Sequence, residues 1–237
     1  MLCIVAGMIG RPHPLPTATR QLLVVTTESW KSVAGNLQRY QRVGKKWHTV
    51  GRPISVNVGR NGLAWGRGIY RNEGWAPAKR EGDGCAPAGM FRLGNAFGYA
   101  ARPPSGCKLV YRPITERDYF VDAPTADDYN RWITIPMGKA NRPEKLWPSF
   151  ERMRRSDHLY EFGVVVQHNE RPIVKGRGSA IFLHVWRNPG VPTTGCTAMA
   201  RNDLLALLQW LDPNQEPLLV QAPVPELKSI LSIDATR

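Results

Sequence analysis

Acid is what this sequence is short of. Its 19 Asp and Glu stand against 32 Lys and Arg, a formal net charge of +13, so an acidic surface is excluded and polyanions are attracted. Cysteine is scarce too. Cys3, Cys85, Cys107 and Cys196 are the whole supply in 237 residues and none pairs as CxxC, which excludes a disulfide framework and speaks against structural zinc. Cys85 and Cys107 could close a loop with a disulfide worth about 3 kcal/mol, or stand as two free thiols; their spacing leaves both open. No apolar run approaches the roughly 20 residues of a membrane-spanning helix, which excludes an integral membrane protein. The opening MLCIVAGMIG is apolar but short, with no basic residue ahead of it: at most a weak or truncated export signal. Nucleotide loops are missing as well. Gly59 to Gly68 lacks the GK[ST] ending, and Ile181 stands where Gly176-Arg177-Gly178 would need its third glycine. No metal and no cofactor is expected.

The charge pattern speaks against another class. Basic residues come as scattered pairs (Lys45–Lys46, Lys79–Arg80, Arg154–Arg155), with no helix-turn-helix, zinc-finger or aromatic RNA-binding pattern. Nucleic acid is therefore not the expected partner, and an anionic extracellular polymer suits the charge.

What is present is punctuation: 22 Gly and 20 Pro spread along the chain between short apolar runs. Frequent breakers imply many short strands and turns. The expected fold class is mainly β (α+β), with one or two packed helices. Residues 1–19 read as a leader or a disordered N-terminal segment, and residues 20–237 as a single domain. Gln21 to Thr27 reads as a buried strand, Trp30 to Val50 alternates around a turn near Gly44, and Ile54 to Val58 is a period-two strand. Asn61-Gly62 is a hairpin-type turn signal. Ala101 to Pro148 is loop-rich, as a substrate-binding flap would be. Phe150 to His158 is expected as a short helix. Phe162 to Val166 and Ala180 to Val185 are expected as core strands. Leu204, Leu205, Leu207, Leu208 and Leu211 repeat at helical spacing, and Leu218 to Val220, bracketed by Pro217 and Pro223, reads as an edge strand.

Chemistry concentrates in HVWRNPGVPTTGC, from His184 to Cys196. A thiol attacks a carbonyl only once its proton is removed, and a neighbouring imidazole or the positive end of a helix lowers that barrier. A helix terminus alone shifts a thiol by roughly one pKa unit, so the pairing of Cys196 with His184 carries the chemistry. Backbone N–H groups at Gly195 and Cys196 are placed to face an oxyanion. His158 and His168, flanking a strand, read as structural or surface residues. His13 and His48 get no role, and Trp186 reads as a core or pocket wall.

These residues resemble the L,D-transpeptidases with the YkuD-type catalytic domain. That family carries a histidine, a spacer and Ser/Thr-x-Gly-Cys; this chain has His184, then Thr193-Thr194-Gly195-Cys196. The family's TPxGxF strand is matched by Pro87-Ala88-Gly89-Met90-Phe91. The resemblance spans roughly Arg20 to Pro223, as a divergent bacterial branch, and implies a YkuD-like β-sandwich or barrel-type domain. It implies Cys196 as nucleophile and His184 as base, with a backbone carbonyl orienting the histidine. Gly195 and Thr194 fall at the oxyanion hole, and Thr193, Tyr129 and Tyr160 at substrate-binding positions. Tyr129, Asn130 and Tyr160 could equally brace the long loop. Thr194 stands where the family has histidine and Ala198 where it has arginine, so Arg187 is the candidate replacement cation.

The implied reaction is acyl transfer on peptidoglycan stem peptides, by a monomer in the periplasm or cell envelope. With water as acceptor the same site is a carboxypeptidase or amidase. A basic polymer-binding module without catalysis is the alternative from another class.

Overall fold

A computed structural model describes residues 14–70, 74–231 and 235–236. Most of the leader, with Cys3 and His13, lies outside the described residues. The first strand, β1 (Gln21–Thr27), is where the apolar run placed it. Next come β2 (Ala34–Val43) and β3 (Lys46–Asn57), a hairpin turning at Gly44, whose φ of 60° suits glycine. Asn61-Gly62 does make a tight turn, with Gly62 N–H on the Gly59 carbonyl. Its flanks meet only in a single antiparallel bridge, Gly59 with Gly62, and β4 (Leu63–Trp65) joins β5 (Ala86–Gly98) instead.

Beyond β6 (Tyr111–Pro113), the loop-rich region builds a small sheet of its own from β7 (Asp118–Val121), β8 (Arg131–Thr134) and β9 (Glu151–Arg152), in the order β8-β7-β9. The helix expected over Phe150 to His158 does not form. Met153 is fully buried, while Arg154 lies over the Tyr99 ring and Arg155 bonds Asp157, so tertiary contacts override local propensity.

The chain then lays down β10 (Phe162–Val166), β11 (Phe182–Val185) and β12 (Thr197–Met199), followed by helix α1 (Arg201–Trp210), β13 (Leu218–Pro223) and helix α2 (Val224–Ile230). The main sheet runs β10-β11-β12-β3-β2-β1-β13-β5, and pairing of β5 with β10 closes these eight strands into a barrel. Strand outweighs helix, 38% against 11%, so the fold is mainly β. The Leu218–Val220 run is not at an edge: β13 lies between β1 and β5, parallel to the first and antiparallel to the second. Its flanking prolines mark where the strand starts and stops. Leu204, Leu207 and Leu208 of α1 are buried against the barrel core, with Leu211 just beyond the helix. Cys85 and Cys107 remain free thiols.

Two cores share the sheet around β11 and β12. Strand side chains alternate between faces. Leu183, Val185 and Met199 enter the large core; Phe182 and Cys196 enter a second one with Ile114, Phe120, Met153 and Tyr160 from the inserted region.

Candidate active site

Strand register puts the two candidate catalytic residues on one face. β11 and β12 run parallel, with Leu183 opposite Thr197 and His184 opposite Ala198. Cys196 precedes Thr197, so it shares the face of Ala198 and His184, one diagonal step from the histidine. Such a step separates Cα atoms by about 8 Å, within reach of an imidazole and a thiol. The leucine pattern after Cys196 would set a helix directly behind it, but β12 intervenes and α1 begins only at Arg201.

What surrounds the sulfur instead is backbone. The Phe182 N–H donates to Cys196 Sγ at 3.3 Å, and the thiol donates to the Ala180 carbonyl at 3.5 Å. Cys196 is 6% exposed. Burial pushes its thiol well above the usual range, and Glu151 adds to this while the Phe182 amide opposes it. His184 is buried as well, which brings its pKa down to about 4 against the favourable carbonyl of Val185. The resting pair is therefore neutral thiol and neutral imidazole. Its Nδ1–H donates to the Val185 carbonyl at 2.8 Å, which leaves Nε2 as the basic nitrogen. No hydrogen bond joins His184 to Cys196 in this resting arrangement.

Gly195 shows why the motif needs glycine. Its φ is +155°, and a Cβ there would lie 3.2 Å from the Cys85 carbonyl oxygen. Gly195→Ala is expected to cost about 1–3 kcal/mol through backbone strain and to displace Cys196. Urea unfolding and turnover measured together check this; a variant as stable and active as the parent contradicts it. Gly195 N–H donates to Thr193 Oγ1 at 3.1 Å, and that hydroxyl donates to the Cys196 carbonyl at 2.7 Å. Thr193 thus ties the turn, while Thr194 is exposed.

The structure also connects the two sequence motifs through a residue that the sequence did not single out. Gln221, 1% exposed, accepts from the Thr197 hydroxyl at 2.7 Å and donates to the Pro87 carbonyl at 2.9 Å. The chain belongs to the L,D-transpeptidase family. The family model described as the L,D-transpeptidase catalytic domain matches residues 32–224, most of the chain. No curated protein and no solved structure matches it. Enzymes of this family act on peptidoglycan, outside the cytoplasm. No helix among the described residues is long and apolar enough to cross a membrane.

Around this candidate site of the L,D-transpeptidase family member lies a charged rim. Tyr160 packs its ring edge against His184 at 5.3 Å and donates to Glu151 at 2.6 Å. Arg155 forms a two-pronged pair with Asp157 at 3.0 and 2.9 Å and reaches Glu151 at 3.5 Å. Arg187 is 61% exposed and only loosely paired with Asp157 at 3.9 Å, so its charge stays open to solvent. Tyr129 is 1% exposed, with its hydroxyl on Glu81. His158 bonds the Trp186 carbonyl. Trp186 lines a groove of about 680 Å³ with Asn57, Pro189 and Gly190. Neither this groove nor the roughly 220 Å³ cavity beside Arg67 and Arg171 is lined by Cys196 or His184. The inserted β7-β8-β9 sheet covers that face through Phe120, whose ring lies 5.3 Å from Phe182.

His168 is the second buried histidine. It accepts from Arg67 N–H through Nδ1 at 3.2 Å and lies 3.0 Å from the Arg177 carbonyl through Nε2; burial lowers its pKa to about 3. Both histidines have native pKa values below their unfolded value of about 6.5. Below that pH the unfolded chain takes up protons that the native one refuses, so stability falls as pH drops from about 6.5 towards 4. The slope reaches at most about 2.7 kcal/mol per pH unit for two protons. Glu151 and Glu170, raised by burial, oppose part of the loss. Urea midpoints at pH 7 and pH 4.5 should differ markedly; equal midpoints contradict neutral buried histidines.

Proposed function

We infer that the protein is a cysteine-dependent acyltransferase on peptidoglycan stem peptides. The observation that carries this reading is the shared face of His184 and Cys196 on paired strands, with the His184 Nδ1–H fixed on a backbone carbonyl. Cys196 Sγ attacks the carbonyl at the L-centre of a diamino acid residue while its proton passes to His184 Nε2. The tetrahedral intermediate collapses, the bond to D-Ala breaks, and His184 returns the proton to the leaving amine. The thioester then passes its acyl group to an amine of a neighbouring stem, with His184 taking the amine proton and the thiol recovering it.

Gly195 and Thr194 border the developing oxyanion, with the Gly195 N–H exchanging Thr193 Oγ1 for it. Arg187, the open cation of the rim, is assigned to a stem carboxylate, with Thr193 at the same end. Tyr160 acts through its contact with His184, and Tyr129 serves as a brace on Glu81. A monomer in the periplasm or cell envelope fits this assignment, and the +13 surface suits a carboxylate-rich polymer. Incubation with a tetrapeptide stem and an amine acceptor tests the reading. Dimeric product is expected; shortened monomers alone would make the enzyme a carboxypeptidase, and neither product would overturn the assignment.

A further inference from the structure

The sulfur of Cys196 rests on a stretch of backbone that is not in a relaxed conformation. Ala180, just ahead of β11, has a φ of +53°, the left-handed region that a residue with a Cβ avoids. Its carbonyl accepts the Cys196 thiol, and two residues on, the Phe182 N–H donates to the same sulfur. Something must hold this turn.

The restraint comes from the inserted region. Asn130 is 7% exposed, and its Oδ1 accepts the Ala180 N–H at 3.3 Å. Its Nδ2 donates to the carbonyls of His168 and Asn169 at 3.0 and 2.9 Å. All three polar contacts of the amide are thus to backbone, and it alone bonds the Ala180 N–H, while the Asn169 side chain holds the neighbouring Gly178 carbonyl at 3.0 Å. Asn130 itself has a φ of +57°, a conformation asparagine tolerates better than most residues. A second tie lies alongside: the Tyr129 and Ser179 hydroxyls both donate to Glu81 Oε2. Residues 129–130 therefore clasp residues 179–180 twice.

We propose that Asn130 is a positioning residue for the Cys196 nucleophile, holding Ala180 left-handed so that its carbonyl and the Phe182 N–H fix the sulfur in place. Strained backbone persists only where surrounding contacts over-determine it, and the Asn130 amide supplies those contacts. Without it, Ala180 relaxes, the chain entering β11 shifts and the sulfur loses its donor. The inference rests on Cys196 being the nucleophile proposed above.

The test is iodoacetamide modification of the full chain, read at Cys196 by peptide mass spectrometry across pH, beside turnover of a stem peptide. Asn130→Gly keeps the left-handed backbone at 130 and deletes the clamp. It is expected to slow Cys196 modification and turnover by about tenfold, the factor that goes with one hydrogen bond, and to move the pH profile. Adding Ala180→Gly, which adopts positive φ without a penalty, is expected to restore both to within about threefold of the Ala180→Gly single variant. A role limited to stability would leave the rate and pH profile of Cys196 modification in the folded protein unchanged.

If Asn130→Gly alone does not fold, the double variant carries the test. A double variant that fails to fold, or that folds without recovery, overturns the proposal, as does an Asn130→Gly profile superimposable on the parent. Clamp-dependent modification with no acylation by any stem would instead leave the clamp standing and sink the transpeptidase reading.

Discussion

Cys196→Ala is expected to lose acyl transfer entirely, a fall of at least about 10⁴-fold in turnover. Among the described residues no other thiol can substitute. Cys85 lies beside Gly195 but its sulfur bonds the Asn61 and Asp83 carbonyls, and Cys107 belongs to the loop before β6. The substitution removes one buried sulfur from the second core and should cost only about 1–2 kcal/mol of stability. Folding and activity therefore separate cleanly: circular dichroism should match the parent while product formation vanishes. Residual turnover above about one per cent would place the nucleophile elsewhere.

The second large effect is expected at His184. Replacement by alanine should lower turnover by about 10²–10⁴-fold, the range for a general base, with the Cys196 peptide still present and intact. The parent enzyme should show a characteristic pH dependence. The base works only when neutral, and burial holds His184 neutral down to about pH 4. The acid limb of kcat/KM is thus expected near pH 4 rather than near the 6.5 of a free imidazole. It should be recorded at a temperature low enough to keep the protein folded. An acid limb near 6.5, or its persistence in His184→Ala, would show that another group is the base.

How far the sequence carried these conclusions depends on the range of each contact. Local patterns were readable. Gln21 to Thr27, Phe162 to Val166 and the leucines of α1 announce themselves by period, and the pairing of His184 with Gly195-Cys196 by spacing. What could not be read are contacts between distant positions. Leu218 to Val220 resembles an edge strand because prolines flank it, yet barrel closure pairs it with β1 almost 200 residues earlier. Met153 and its arginine neighbours look helical until Tyr99, Glu151 and Asp157 claim them. Cys196 looks like a residue at a helix start because β12 is only three residues long. Asn130 stands out in the sequence as a possible brace of the long loop, but its hold on Ala180, 50 residues away, depends on the fold. Gln221 is silent in the sequence, because an amide in an apolar strand carries no signal of its two partners.

The inserted sheet has a consequence for reactivity. With Phe120, Met153 and Tyr160 packed over Phe182 and Cys196, the resting thiol is shielded as well as protonated. On the proposed mechanism, attack requires the S–H to turn from the Ala180 carbonyl towards His184 as substrate enters.

The most direct measurement is the intact mass of the protein after brief mixing with a tetrapeptide stem, followed by peptide mapping. An acyl adduct on Cys196, equal in mass to the stem less its terminal D-Ala and sensitive to hydroxylamine, is the predicted result. Product formation without any adduct on Cys196, or an adduct mapped to another residue, would contradict it.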